Sequence, residues 1–156
     1  MCIRDRDHRL LVLWATDCAE HVLPIFETQH PDDNRSREAI EAGRAWVRGD
    51  MAVPEVRKAA FAAHAAARDA DDSAARAAAR AAGHAAATAH IVGHARHAAA
   101  YAVKAAACTA GTIDVDAAGA KERDWQVRHL PEHLRSVVFP EHQLSSTSKI
   151  QNGVAS

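Results

Sequence analysis

Three histidines, His90, His94 and His97, stand in the spacing H-x3-H-x2-H. On one continuous helix they would share a face, and three imidazoles can hold Zn²⁺ with a fourth position open to water or substrate. Two features oppose that reading. Ile91-Val92-Gly93 interrupts the helix between His90 and the other two, because two β-branched residues precede a glycine. No carboxylate falls within residues 73–107 to complete a ligand shell or serve as base, and there is no H-E-x-x-H. The expectation is no metal site and no cofactor. The imidazoles instead supply bulk, hydrogen bonds and polar rims to an alanine-rich helix pair. A metal-binding protein or metal-dependent enzyme built on these histidines is the alternative reading, and a pH-sensitive partner surface is a third.

Asp17, Glu20 and His21 place acids and an imidazole within one helical turn, the arrangement of an orienting pair for a general base. Such spacings arise by chance on any charged helix. Cys18 lies beside those carboxylates, which disfavour a thiolate, so it reads as a core residue. The chain contains no glycine-rich phosphate loop, no G-x-S-x-G and no CxxC. No catalytic residue is expected, and the protein reads as a non-enzyme.

The segment that must position the histidines is SAARAAARAAGHAAATAHIVGHARHAAAYAVKAAA, residues 73–107. Alanine forms helix best because it loses no rotamer freedom, and Asp72 before the run is placed to cap it. A single helix of that length would run roughly 50 Å, against a domain roughly 30 Å across. The sequence therefore predicts an antiparallel hairpin, with helices over 73–90 and 94–107 and a corner at 91–93. Alanine faces allow close helix approach but bury little area per residue. Bulky covers are required, and Trp14, Trp46 and Trp125 are the candidates.

Around that hairpin the pattern predicts a compact all-α bundle of six or seven helices. A first helix carries Leu10, Leu11, Leu13 and Trp14, with a break near Thr16–Asp17 ahead of Pro24. A second spans 35–48, capped by Asp33 or Asn34 and ended by Gly49. Its inner side holds Ala39, Ile40, Gly43, Trp46 and Val47, and its outer side Arg37, Glu41, Arg44 and Arg48. A third spans 54–69 with Pro54 at its first position. Residues 111–119 read as a loop with a β-leaning fragment at 111–115, then come a helix over 120–129 and a short one after Pro131. Residues 1–6, MCIRDR, join poorly to the apolar pattern that begins at Leu10 and read as an adapter-like start. Residues 7–140 form a single helical domain, and 141–156 a disordered polar tail.

Fifteen of nineteen basic residues are Arg, but twenty acidic residues balance them to a net charge of −1. A phosphate-binding surface needs a local excess of positive charge, none is evident, and nucleic acid is not expected as a partner. Three scattered cysteines form no disulfide framework and suit a reducing cytoplasm. No window reaches the length of a charge-free membrane span.

Five segments carry a resemblance: RLLVLWATDCAEHVLPIFE (9–27), DDNRSREAIEAGRAWVRG (32–49), AAFAAHAAARDA (59–70), AAGHAAATAHIVGHARHAAAYAVKA (81–105) and ERDWQVRHLPEHLR (122–135). Together they resemble the bacterial immunity-protein family of the Imm-five-like domain, over about residues 9–140. The resemblance implies an all-helical cytoplasmic protein that binds and neutralises a cognate toxin of a polymorphic-toxin system by occlusion, without catalysis. It brings no binding residues with it. A helical scaffold or regulatory protein is the other binding-type alternative. An occluding surface needs Trp or Arg anchors, and two arginine-bearing faces qualify: Arg37, Arg44 and Arg48 on the second helix, and Arg123 and Arg128 beside Trp125.

Overall fold

A computed structural model describes residues 3–109 and 114–140. Among the described residues seven α-helices run in order: α1 (Asp5–Gln29), α2 (Arg35–Val47), α3 (Val53–Asp69), α4 (Ser73–Ala87), α5 (His94–Thr109), α6 (Val115–His129) and, after a 3-10 turn at Glu132–Leu134, α7 (Arg135–Val138). No strand occurs among the described residues. The expected helical bundle is what the chain forms.

Its axis is α4, which packs against α1, α2, α3 and α5. Ten of its fifteen residues are buried, nine of them alanines and the tenth Gly83. Methyl-sized side chains let four neighbours approach one helix at the short end of the usual interaxial distance. The Asp72 carboxylate accepts from the Ala75 N–H at 2.9 Å, as the capping signal predicts. The helix then ends at Ala87, a turn earlier than expected, and Thr88 to Gly93 make the corner. His94 N–H bonds the Ile91 carbonyl at 3.1 Å as α5 begins. Gly93 is not left-handed there, since Gly49, at φ +81°, is the single described residue with positive φ. Two side-chain bonds hold the corner, one of them from α1. The His8 Nε2 donates to the Thr88 carbonyl at 2.7 Å, and the Thr88 hydroxyl donates to the His84 carbonyl at 2.9 Å.

The break expected near Thr16–Asp17 does not exist: α1 is continuous through 25 residues and includes Pro24. Leu11, Trp14, Ala15, Cys18, Val22, Leu23 and Phe26 form a buried stripe along it, and burying that stripe outweighs the proline's missing N–H. Thr16 does not end the helix either. Its hydroxyl is satisfied within it, donating to the Leu13 carbonyl at 2.8 Å. The helix also opens earlier than the apolar pattern suggests, at Asp5, with Ile3 packed against the core.

Residues 115–119 are the second difference. They belong to α6 and not to a loop, and Val115 is helical. Residues 110–113, which include most of the β-leaning fragment, and the tail at 141–156 lie outside the described residues. Helix α6 is clamped by two buried hydrogen bonds. The Trp14 indole donates to the Gln126 carbonyl and the Gln126 amide donates to the Ala99 carbonyl, each at 2.8 Å. Trp14 thus covers the hairpin while its polar edge ties α1 to α6. Trp46 and Trp125 are only partly buried.

Candidate functional site

On the side of α4 facing α3 and α5, four imidazoles converge. His64 from α3, His84 from α4, and His94 and His97 from α5 meet around the His84 ring, at centroid distances of 4.9, 5.1 and 5.3 Å respectively. Tyr101 stacks on His84 at 5.2 Å and 7°. The Nδ1 atoms of His84 and His94 lie 2.9 Å apart, a hydrogen bond in which one neutral ring donates to the other. The Arg80 guanidinium lies 5.9 Å from the Tyr101 ring centre.

Each ring is positioned by a simple local feature. His94, His97 and Tyr101 share one face of α5 because they recur at helical spacing. His84 follows Arg76 and Arg80 at four-residue intervals on α4. His64 lies directly over Gly83, where a Cβ would come within 2.7 Å of its ring, so the absent side chain makes room for the imidazole.

This environment disfavours protonated imidazole. Burial, then the neighbouring His64, His94, His97 and Arg80, push the His84 pKa down to about 3. His64 is lowered by burial and by Arg80, His94 and Arg68. His94 is lowered by burial and by His97 and His90. At neutral pH His64, His84 and His94 are therefore uncharged ring donors and acceptors.

The sequence spacing His90, His94, His97 is not what the fold assembles. The corner carries His90 to an exposed position, and His64 and His84 take its place. Among the described residues no group of three or more His, Cys, Asp or Glu is arranged to hold a metal ion.

The Asp17–Glu20–His21 arrangement also separates. Asp17 and Glu20 both turn to Arg44, while the His21 Nδ1 donates to Glu122 of α6 at 2.8 Å. His21 stacks on Trp125 at 3.8 Å and Trp125 on His129 at 4.1 Å, a three-ring pile at the surface. Glu122 is buried, and Cys18 lies near it. Burial first, then Glu122 and Asp17, push the Cys18 thiol well above its ordinary value, in keeping with its acidic neighbours.

The two arginine faces expected to meet a partner differ in their local bonding. On α2, Arg44 bonds Glu20 at 2.6 Å and Asp17 at 3.0 Å, Arg37 bonds Glu27 at 2.8 Å, and Arg48 bonds Asp50 at 3.1 Å. That face is neutralised by its own carboxylates. On α6, Arg123 is half-buried with its guanidinium 4.6 Å from the Phe139 ring centre. Arg128 is exposed and donates to the Asp124 carbonyl at 3.3 Å. His64 and His84 carry no metal-ligand spacing that would single them out in the sequence. Their signal is the regular recurrence of polar residues along α3 and α4, but their meeting depends on helices packing side by side.

A family model described as Imm-5 like putative immunity protein matches residues 1–133. No curated protein and no solved structure matches the chain.

Proposed function

We propose that this chain, which belongs to the Imm-5 like putative immunity protein family, protects the bacterium that makes it by binding a cognate toxin protein and covering its working surface. The match along residues 1–133 is the observation that carries this reading. The architecture is compatible with it. A rigid helical bundle presents preformed faces and loses little freedom on binding. Cys18, the buried thiol, is held protonated by its surroundings, and the His21–Glu122 pair has its ring stacked flat on Trp125. Neither is placed as a nucleophile with a partner base. The protein acts by occlusion in the cytoplasm with no turnover of its own. No described helix is long and apolar enough to cross a membrane.

The test is growth of a bacterium expressing the toxin domain encoded by the neighbouring gene, with and without this protein. Full growth is expected with it. Killing that the intact protein leaves unchanged would overturn the proposal.

A further inference from the structure

From Ser73 to Thr109 the chain contains not one Asp or Glu, yet it carries Arg76, Arg80, Arg96 and Lys104. The rest of the chain holds fifteen basic residues against twenty acidic ones. The near-zero total therefore conceals a charge separation, and the fold concentrates it. On α3, Arg57, Phe61, His64 and Arg68 recur at intervals of four, three and four residues and share a face. On α4 the corresponding stripe is Arg76, Arg80 and His84, and on α5 it is His94, His97, Tyr101 and Lys104. The ring contacts of His84 with His64 on one side, and with His94, His97 and Tyr101 on the other, show that the three stripes lie side by side.

The cations of this face differ from those of α2. Arg35, Arg37, Arg44 and Arg48 each bond carboxylates of their own chain. Among the described residues Arg57, Arg68, Arg80 and Lys104 form no ion pair. Two carboxylates at the adjoining helix ends are occupied, Asp69 bonding Arg35 and Asp72 capping α4. Phe61 stands among these cations 64% exposed, the most exposed large apolar side chain described. A surface with uncompensated charge and an exposed aromatic resembles an interface without its partner.

We propose that the α3–α4–α5 face is the docking surface for an acidic protein partner, whose carboxylates meet Arg57, Arg68, Arg80 and Lys104 while Phe61 and the imidazole–Tyr101 cluster fill its centre. This rests on the toxin-binding reading and names the chemistry of the toxin surface. A protein fits better than nucleic acid for two reasons. Four dispersed cations supply few phosphate contacts, whereas affinity for a duplex grows with their number. The centre of the face consists of Phe61, Tyr101 and imidazole rings on an alanine floor, which suits a packed protein contact with a charged rim.

Two assays separate this inference from the function beneath it. In the first, the purified full chain is titrated with poly-L-glutamate and with a short DNA duplex at rising salt. Poly-glutamate is expected to bind and to dissociate as salt rises. The Arg57→Gln/Arg68→Gln/Arg80→Gln/Lys104→Gln variant should bind roughly tenfold more weakly. A variant with Arg37, Arg44 and Arg48 changed to Gln should bind as the parent does. Replacing the three face arginines by Lys keeps the charge and should keep binding, which guards against a loss caused by misfolding. Tighter binding of DNA than of poly-glutamate, or binding of neither, would overturn the acidic-protein face. The second assay is toxin rescue. Rescue by the parent but not by the four-Gln variant, whose helicity and melting are unchanged, is the expected result. Rescue that survives in that variant rejects the face and leaves neutralisation standing. If the parent itself fails to rescue, the toxin reading falls, and the poly-glutamate titration still decides whether the face binds acidic polypeptide.

Discussion

His84 is the residue on which the cluster turns, and its position makes stability depend on pH. Its pKa falls from an ordinary 6.5 to about 3 in the folded protein, chiefly by burial and then by the surrounding imidazoles and Arg80. Because the native value is depressed, the unfolded chain takes up the proton first as pH falls. The stabilisation from a neutral His84 is fully present above about pH 6.5 and is lost progressively toward pH 3. His64 and His94 shift in the same direction and add to the slope. The groups facing His84 are His64 from α3, Arg80 from its own helix, and His94, His97 and Tyr101 from α5, none of which can offset an added positive charge. The melting temperature should therefore fall between pH 7 and pH 5, and His84→Gln should flatten that slope. An equal slope in the two proteins would show that the acid sensitivity lies elsewhere.

At the scale of the element, α1 and α4 show packing overriding local preference in different ways. Helix α4 is built from the residue with the best helix propensity, and what packing adds is burial on nearly all sides. Helix α1 keeps a proline in its last two turns because Leu23 and Phe26 must reach the core on either side of it. Pro24 is exposed, and its carbonyl accepts from the Thr28 hydroxyl at 2.7 Å. Pro24→Ala restores one backbone N–H and relieves the clash one turn back. It should stabilise the fold by about 1–3 kcal/mol, the range set by the helix-interior cost of proline less its restriction of the unfolded chain. Urea unfolding measures this directly. A midpoint that does not rise would mean that α1 has already relaxed around the ring.

Across the whole molecule, Trp14 connects elements that no local sequence signal joins. Its ring is buried against α1's neighbours and lies edge-on to Phe139 at 5.9 Å, and its indole N–H reaches Gln126, whose amide reaches Ala99. One side chain thus ties the first helix, the sixth and the fifth. Trp14→Ala should cost roughly 3–5 kcal/mol, the usual range for a truncated core aromatic. The opened site would also leave the Gln126 carbonyl without its donor. Chemical denaturation tests the value, and a loss below about 1 kcal/mol would contradict the role assigned to this residue. Charge has the same long-range character. Arg44 draws Asp17 and Glu20 across from α1, whereas the cations of α3, α4 and α5 face outward together.

Much of this is legible from the residues alone, where the governing physics is local. Alanine propensity and the Asp72 cap predict the two hairpin helices, length requires the corner, and Pro54 and Gly49 mark the ends of their elements. The resemblance of five segments names the family. What the sequence could not decide depended on comparing distant terms. The buried stripe of α1 overcame Pro24 only because a core existed to receive it. Helix α6 extended back to Val115 despite weak local patterning, because Gly119, Glu122 and Gln126 found burial against the bundle. His64 joined His84 across Gly83 because α3 packs beside α4. Charge was the least legible of all. A chain-wide sum of −1 hides both the arginines that find carboxylates ten to thirty-four positions away and Arg57, Arg68, Arg80 and Lys104, which form no ion pair among the described residues, since pairing depends on distance in space and a sequence lists only distance along the chain.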